Sequence, residues 1–208
     1  MDEARKRWDS LAKPLGSLGL LEDAVVKIAA LTDNADVRLN NRALLVLCAD
    51  NGVVARGVTQ SDSSVTTAVA RALGAGESTV CHMARVANCR VVPVDMGILD
   101  FHGGAGVLDR RVRNGTADIT QGPTMSRAEC IRAIETGVEL VREQKAAGAD
   151  ILATGEMGIG NTTTSSAVAS VLLGRTPAEV TGRGAGLSDA GLARKITAVE
   201  RAIQVNRP

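Results

Sequence analysis

Aromatic side chains are almost missing: the 208-residue chain has Trp8, Phe101 and no tyrosine. That removes the stacking platforms on which single-strand nucleic-acid binders hold bases. A charge of one sign is missing as well. With 24 basic and 23 acidic residues the net charge is +1, so no long-range field gathers nucleic acid or anionic lipid. No apolar run approaches the roughly 20 residues of a membrane span, and no signal-peptide pattern is present. The four cysteines, Cys48, Cys81, Cys89 and Cys130, make no CxxC pair and no metal-ligand spacing. The two histidines, His82 and His102, are isolated, so neither a metal nor a catalytic triad is expected. A reducing cytoplasm is the expected compartment. Cys48, inside an apolar run, reads as a small core residue rather than a nucleophile.

What the sequence does hold is apolar residues, 45% of the total, enough for one buried core with a small appendage. Residues 1–40 read as a helical arm belonging to a smaller domain, with Trp8, the turn-like run Lys13-Pro14-Leu15-Gly16-Ser17-Leu18-Gly19 and then a helix. Leu21, Val25 and Ile28 recur at i, i+4 and i+7 and predict its buried face, with Glu22, Asp23 and Lys27 on the other. Residues 32–42 are polar and form a linker. Residues 41–208 read as an α/β nucleotide-binding domain, expected to be incomplete at its C-terminus because its last helix is followed by no closing element.

Within that domain, residues 43–49 form an unbroken apolar run, the pattern of a parallel strand covered on both faces. It stops at Asp50-Asn51-Gly52. Ligands gather at the carboxyl ends of strands in open α/β sheets, which puts Asp50 on the ligand rim; an Asx turn that stabilises its own loop is an equal reading. A second strand covers 90–94 despite Pro93, and 150–153 reads as a short buried strand. Between them, residues 99–123 make a long glycine-containing loop of the kind that is functional or mobile. Ser126-Arg127-Ala128-Glu129 is a capping box opening a helix whose apolar side is Ile131, Ile134, Val138 and Val141. Residues 165–173 predict a helix packed on the sheet, and a last helix begins near Ser188 with Leu192, Ile196, Val199 and Ile203 on one face. Strands alternating with helices give an α/β fold, a Rossmann-like parallel sheet flanked by helices.

The chemistry concentrates between the 150–153 strand and the last helix. Gly155-Glu156-Met157-Gly158-Ile159-Gly160-Asn161-Thr162 joins strand to helix, and its glycines let backbone approach a ligand at a helix N-terminus, an arrangement suited to phosphate. Asn161-Thr162 stands where a P-loop needs Lys-Ser/Thr, and the order GxxGxG is not the dinucleotide fingerprint. A second turn, Gly182-Arg183-Gly184-Ala185-Gly186, precedes the helix that carries Arg194 and Lys195. Two glycine turns, one carboxylate and nearby cations suggest a sugar monophosphate site. The bland alternative is that the glycines only make tight turns and Glu156 is solvated.

These motifs resemble those of the nicotinate-nucleotide:dimethylbenzimidazole phosphoribosyltransferase family. The similarity runs through Lys13-Pro14-Leu15-Gly16-Ser17-Leu18, Ala49-Asp50-Asn51-Gly52-Val53, Gly115-Thr116-Ala117-Asp118-Ile119-Thr120, the 155–163 turn and Thr181-Gly182-Arg183-Gly184. The resemblance implies a homodimer, without cofactor or metal, that moves phosphoribose from nicotinate mononucleotide to 5,6-dimethylbenzimidazole in cobalamin nucleotide-loop assembly. It implies phosphate and ribose contacts from Gly158, Gly160, Asn161, Thr162, Arg183, Gly184 and Lys195, a catalytic carboxylate at Glu156, and base-side contacts from Asp50 and Ser61. Family members are longer, and the glutamate regarded as their general base belongs to a segment absent from this sequence. Asn51 stands where the family often has histidine, and Val69 replaces a frequent glutamine. A binding module for nicotinate mononucleotide or a ribazole, and an inactive fragment, are the alternatives.

Overall fold

Two helices build the first of the two units into which residues 1–208 of the computed structural model divide, Met1–Asn40 and Asn41–Pro208. They are α1 (Asp2–Asp9) and α2 (Leu20–Thr32), and Ala4, Val26 and Ala29 form their core with Trp8, Ala35 and Val37 around it. The buried face of α2 is offset by one residue from the predicted one: Glu22, Val26 and Ala29 are buried and Leu21 is exposed. Glu22 can be buried because its charge is met. Lys13 lies 2.7 Å away and the Leu18 N–H donates to Oε1 at 3.1 Å, and these bonds hold the carboxyl below its usual range.

The second unit is a four-stranded sheet in the order β3-β2-β1-β4, with parallel pairing throughout. Its strands are β1 (Arg42–Ala49), β2 (Cys89–Gly97), the two-residue β3 (Leu108–Asp109) and β4 (Ile151–Met157). Alternation along β1 sends Val46 and Cys48 to one face, where α3 (Ser64–Ala75) and α4 (Thr79–Val86) supply Ala70, Leu73 and Cys81, with Ile98 and Phe101 beside them. Leu45 goes to the other face, where Val92 and Val94 meet Leu140 of α5 (Arg127–Ala146). Cover on both faces is what an all-apolar strand requires. Burial pushes the Cys48 thiol up to about 12, so it stays protonated as a core side chain. Pro93 is tolerated in β2, in register with Val46, because β3 pairs only with Val94 and Asp95 and leaves no ladder partner opposite the proline.

Four expectations change. The 150–153 strand is not buried: it belongs to β4, which pairs with β1 alone, and Ile151, Ala153 and Thr154 are exposed. On α5 the capping box of Ser126 and Glu129 forms, but the helix turns Thr136, Leu140 and Gln144 inward and leaves Ile131, Ile134, Val138 and Val141 between 44% and 63% exposed. The helix α6 (Asn161–Leu173) packs mainly on α8 (Asp189–Asn206), through Ala167 against Val199 and Ala202, with the short α7 (Pro177–Val180) between them. The buried face of α8 is likewise Gly191, Lys195, Ala198, Val199 and Ala202, shifted so that Lys195 points in and Leu192, Ile196 and Ile203 are only partly covered. The 99–123 loop is tied down at several points. Arg111 pairs with the buried Asp95 at 3.0 Å, Thr116 accepts the Gly52 N–H at 3.2 Å, and Arg56 reaches Asp118 at 2.5 Å.

Candidate active site

Strands β1 and β4 run parallel, so their carboxyl ends come out on the same rim, with Leu47 opposite Glu156 and Cys48 opposite Met157. The chain leaves β4 through Gly158-Ile159-Gly160 and enters α6 with Gly160 as the N-cap at φ 90°, a left-handed conformation that favours glycine. No larger residue fits at Gly158, where a Cβ would lie 2.0 Å from the Ala49 carbonyl oxygen. The second turn brings Gly184, at φ +57°, next to Thr162 and Lys195. A cleft of about 210 Å3 opens between the turns, lined by Ser61, Gly158, Gly160, Asn161, Thr162, Arg183, Gly184 and Lys195.

Lys195 sets the electrostatics of this cleft. Only 1% of the residue is exposed, and its Nζ donates to Thr162 Oγ1 at 2.7 Å and to the Gly182 carbonyl at 3.0 Å. No carboxylate pairs with it, and burial lowers its pKa from the usual lysine value. An ammonium in that position is short of negative charge, which an anionic ligand would supply. Beside it, the N–H groups of Gly160 and Thr162 have no acceptor within the chain, as the first residues of a helix leave them. Arg183 is spoken for at both ends: Nη1 donates to the Leu187 carbonyl at 2.9 Å and Nη2 pairs with Asp189, which fixes the second turn and leaves the guanidinium half-exposed.

Glu156 stands one residue before the glycine turn and joins the cleft through Asn161, whose amide donates to its carboxylate. The side chain keeps solvent contact, while its carboxyl end packs against the turn closely enough that burial pushes it up to about 7 from 4.5. The Asn161 bond works in the opposite direction. Asp50 is apart from this group. It is buried and does not line the cleft; its Oδ2 accepts the Leu99 N–H at 2.8 Å, and its backbone bonds to Gly97 and Thr116, so it knits three loops of the rim together. Of the residues singled out in the sequence, the structure gathers Ser61, Gly158, Gly160, Asn161, Thr162, Arg183, Gly184 and Lys195 at the cleft, brings Glu156 to it through Asn161, and leaves Asp50 and Arg194 outside it. Thr59 and Gln60 also line it, as a polar loop after a buried strand could, while Val58 and Leu187 line it and carried no signal in the sequence. A larger open groove of about 620 Å3 is lined on α8 by Arg194 and Arg201, and Arg194 is the one candidate residue it contains.

A family model described as phosphoribosyltransferase matches residues 1–208, the whole chain. The chain belongs to this family. Among curated members of this phosphoribosyltransferase family, it is 46% identical over 208 residues to the nicotinate-nucleotide–dimethylbenzimidazole phosphoribosyltransferase of Ruminiclostridium cellulolyticum. It is also 46% identical to the protein of the same name from Acetivibrio thermocellus. All of this chain is matched in both cases, but it spans 59% of those phosphoribosyltransferases' length. The crystal structure of CobT from Thermus thermophilus superposes on 98% of the chain with a TM-score of 0.91 at 41% identity, and 61% of that structure is covered. At that identity the parallel sheet and its flanking helices are the family's own fold.

Proposed function

We propose that the two-turn cleft holds the phosphoribosyl part of nicotinate mononucleotide, and that the protein transfers it to 5,6-dimethylbenzimidazole to give α-ribazole 5′-phosphate and nicotinate. The observation that carries this reading is the buried Lys195, without a carboxylate partner, set between two glycine turns. Gly158, Gly160, Asn161, Thr162, Arg183 and Gly184 complete the phosphate and ribose side. A volume of about 210 Å3 is below the range of roughly 300–1,000 Å3 of complete small-molecule sites and suits a phosphorylated sugar. Ser61 lies on the base side, and Asp50 serves there by holding the rim loops in place.

Chemically, the bond from C1′ to the pyridinium nitrogen breaks with its electron pair going to nitrogen, so the leaving nicotinate needs no proton. Positive charge develops on the ribose, and a nearby carboxylate stabilises it. Attack by one ring nitrogen of the base forms the new bond to C1′, and the proton on the other nitrogen passes to water. Glu156, ionised above about pH 7, is the carboxylate at hand for charge stabilisation. We also propose a homodimer in which residues 1–40 belong to a smaller helical domain. Release of nicotinate from the 208-residue chain, followed by chromatography, tests the reading: release that requires both substrates supports transfer. Saturable binding of the nucleotide with no release makes this chain a binding module instead.

A further inference from the structure

Ile159 lies at the centre of the first glycine turn, and both of its backbone groups are held by side chains from other elements. Its N–H donates to Thr66 Oγ1 at 3.1 Å, and its carbonyl accepts from Asn51 Nδ2 at 3.3 Å. Thr66 belongs to α3 and is completely buried. Asn51 follows β1, and its Oδ1 accepts from Thr164 Oγ1 of α6 at 3.2 Å. Two helices and a strand end thus converge on one residue. With neither flanking residue bearing a Cβ, the backbone of Gly158-Ile159-Gly160 has unusual freedom to rotate, and nothing in its own sequence decides which way its N–H groups face. The clamp does decide it. With the Ile159 N–H occupied by Thr66, the free donors that the first turn leaves beside the cleft are those of Gly160 and Thr162.

We propose that Thr66, assisted by Asn51, is a positioning residue that orients the anion-binding turn through Ile159, and so sets affinity for the phosphate of the nucleotide without touching it. The proposal rests on the cleft being a phosphate site. Preorganised donors avoid the cost of ordering a flexible turn on binding, which is where their advantage lies. Two substitutions separate orientation from packing. Thr66→Val keeps the side-chain volume and removes the acceptor; Thr66→Ser keeps the hydroxyl and leaves a small void in the core. With nicotinate mononucleotide and inorganic phosphate as calorimetric probes, Thr66→Val is expected to weaken both by about tenfold or more, the size of a lost hydrogen bond plus an unpaired donor. Thr66→Ser is expected to bind within about threefold of the parent while melting at a lower temperature than it, because its loss is a methyl group. Hydrogen exchange at the Ile159 amide should be slow in the parent and in Thr66→Ser and faster in Thr66→Val. Parent-like affinity in a folded Thr66→Val, or affinities that follow melting temperature across the two variants, overturns the clamp. Phosphate binding by the parent without nucleotide binding overturns the functional reading and leaves the clamp to be decided by phosphate and by exchange. No binding of either probe by the folded parent overturns both.

Discussion

A lysine ammonium withdrawn from solvent, with a hydroxyl and a carbonyl but no carboxylate for company, is an unbalanced arrangement by itself and a balanced one around phosphate. Lys195→Ala is accordingly expected to raise the dissociation constant for a phosphate-bearing ligand by about 10- to 100-fold, the worth of a hydrogen bond to a charged group. Because burial lowers its pKa, the lysine of the free protein loses its proton at lower pH than an exposed lysine does, and ligand affinity should fall on the alkaline side before ordinary lysines titrate. For Glu156 the sign is the reverse of a salt-bridged carboxylate. Its folded pKa of about 7 exceeds 4.5, so between those values the folded state holds more proton than the unfolded one, and stability falls as pH rises through that window. Glu156→Gln should flatten that part of the melting-temperature profile and impair turnover more than nucleotide binding. Glu156 was legible in the sequence as a charge inside a glycine turn, and Lys195, with Arg194, as a cation on the helix that follows the second turn. Thr66 was not: one hydroxyl in a helix of small residues looks like any other until the fold shows that Ile159 lies opposite.

At the scale of elements, the glycine turn is the part least tolerant of change. Gly158→Ala would place a methyl group against the backbone carbonyl of Ala49 and beside the Glu156 carboxylate, and it is expected to destabilise the chain by about 1–3 kcal/mol in denaturant melts, as overpacking does. Element type was readable from periodicity, and so was β1, since an unbroken apolar run has few other uses. Which faces are covered was not readable. The stripe from Ile131 to Val141 has the helical spacing of a buried face and is exposed, while α2 buries a glutamate whose partner, Lys13, lies nine positions upstream. Periodicity reports that a face is apolar, and only the neighbours decide whether it is covered. That exposed stripe, together with the free edge of β4 and the exposed Val168, Leu172 and Leu173 of α6, predicts concentration-dependent self-association of the 208-residue chain. Ile134→Lys with Val138→Lys should reduce it in sedimentation velocity; unchanged association would place the contact elsewhere.

For the molecule as a whole, the parallel sheet, the position of the glycine turns at its carboxyl rim and the family were all legible in the residues. The sheet order was not, and β4, read as a buried strand, proved to be an edge. The chain matches its relatives over its own whole length and spans 59% of theirs. The most direct test of the account is a calorimetric titration of the folded 208-residue chain with nicotinate mononucleotide, repeated with Lys195→Ala. Saturable one-to-one binding is expected, competed by inorganic phosphate and weakened at least about tenfold by the substitution. An affinity indifferent to Lys195 in a folded variant, or no binding by the folded parent, would contradict it.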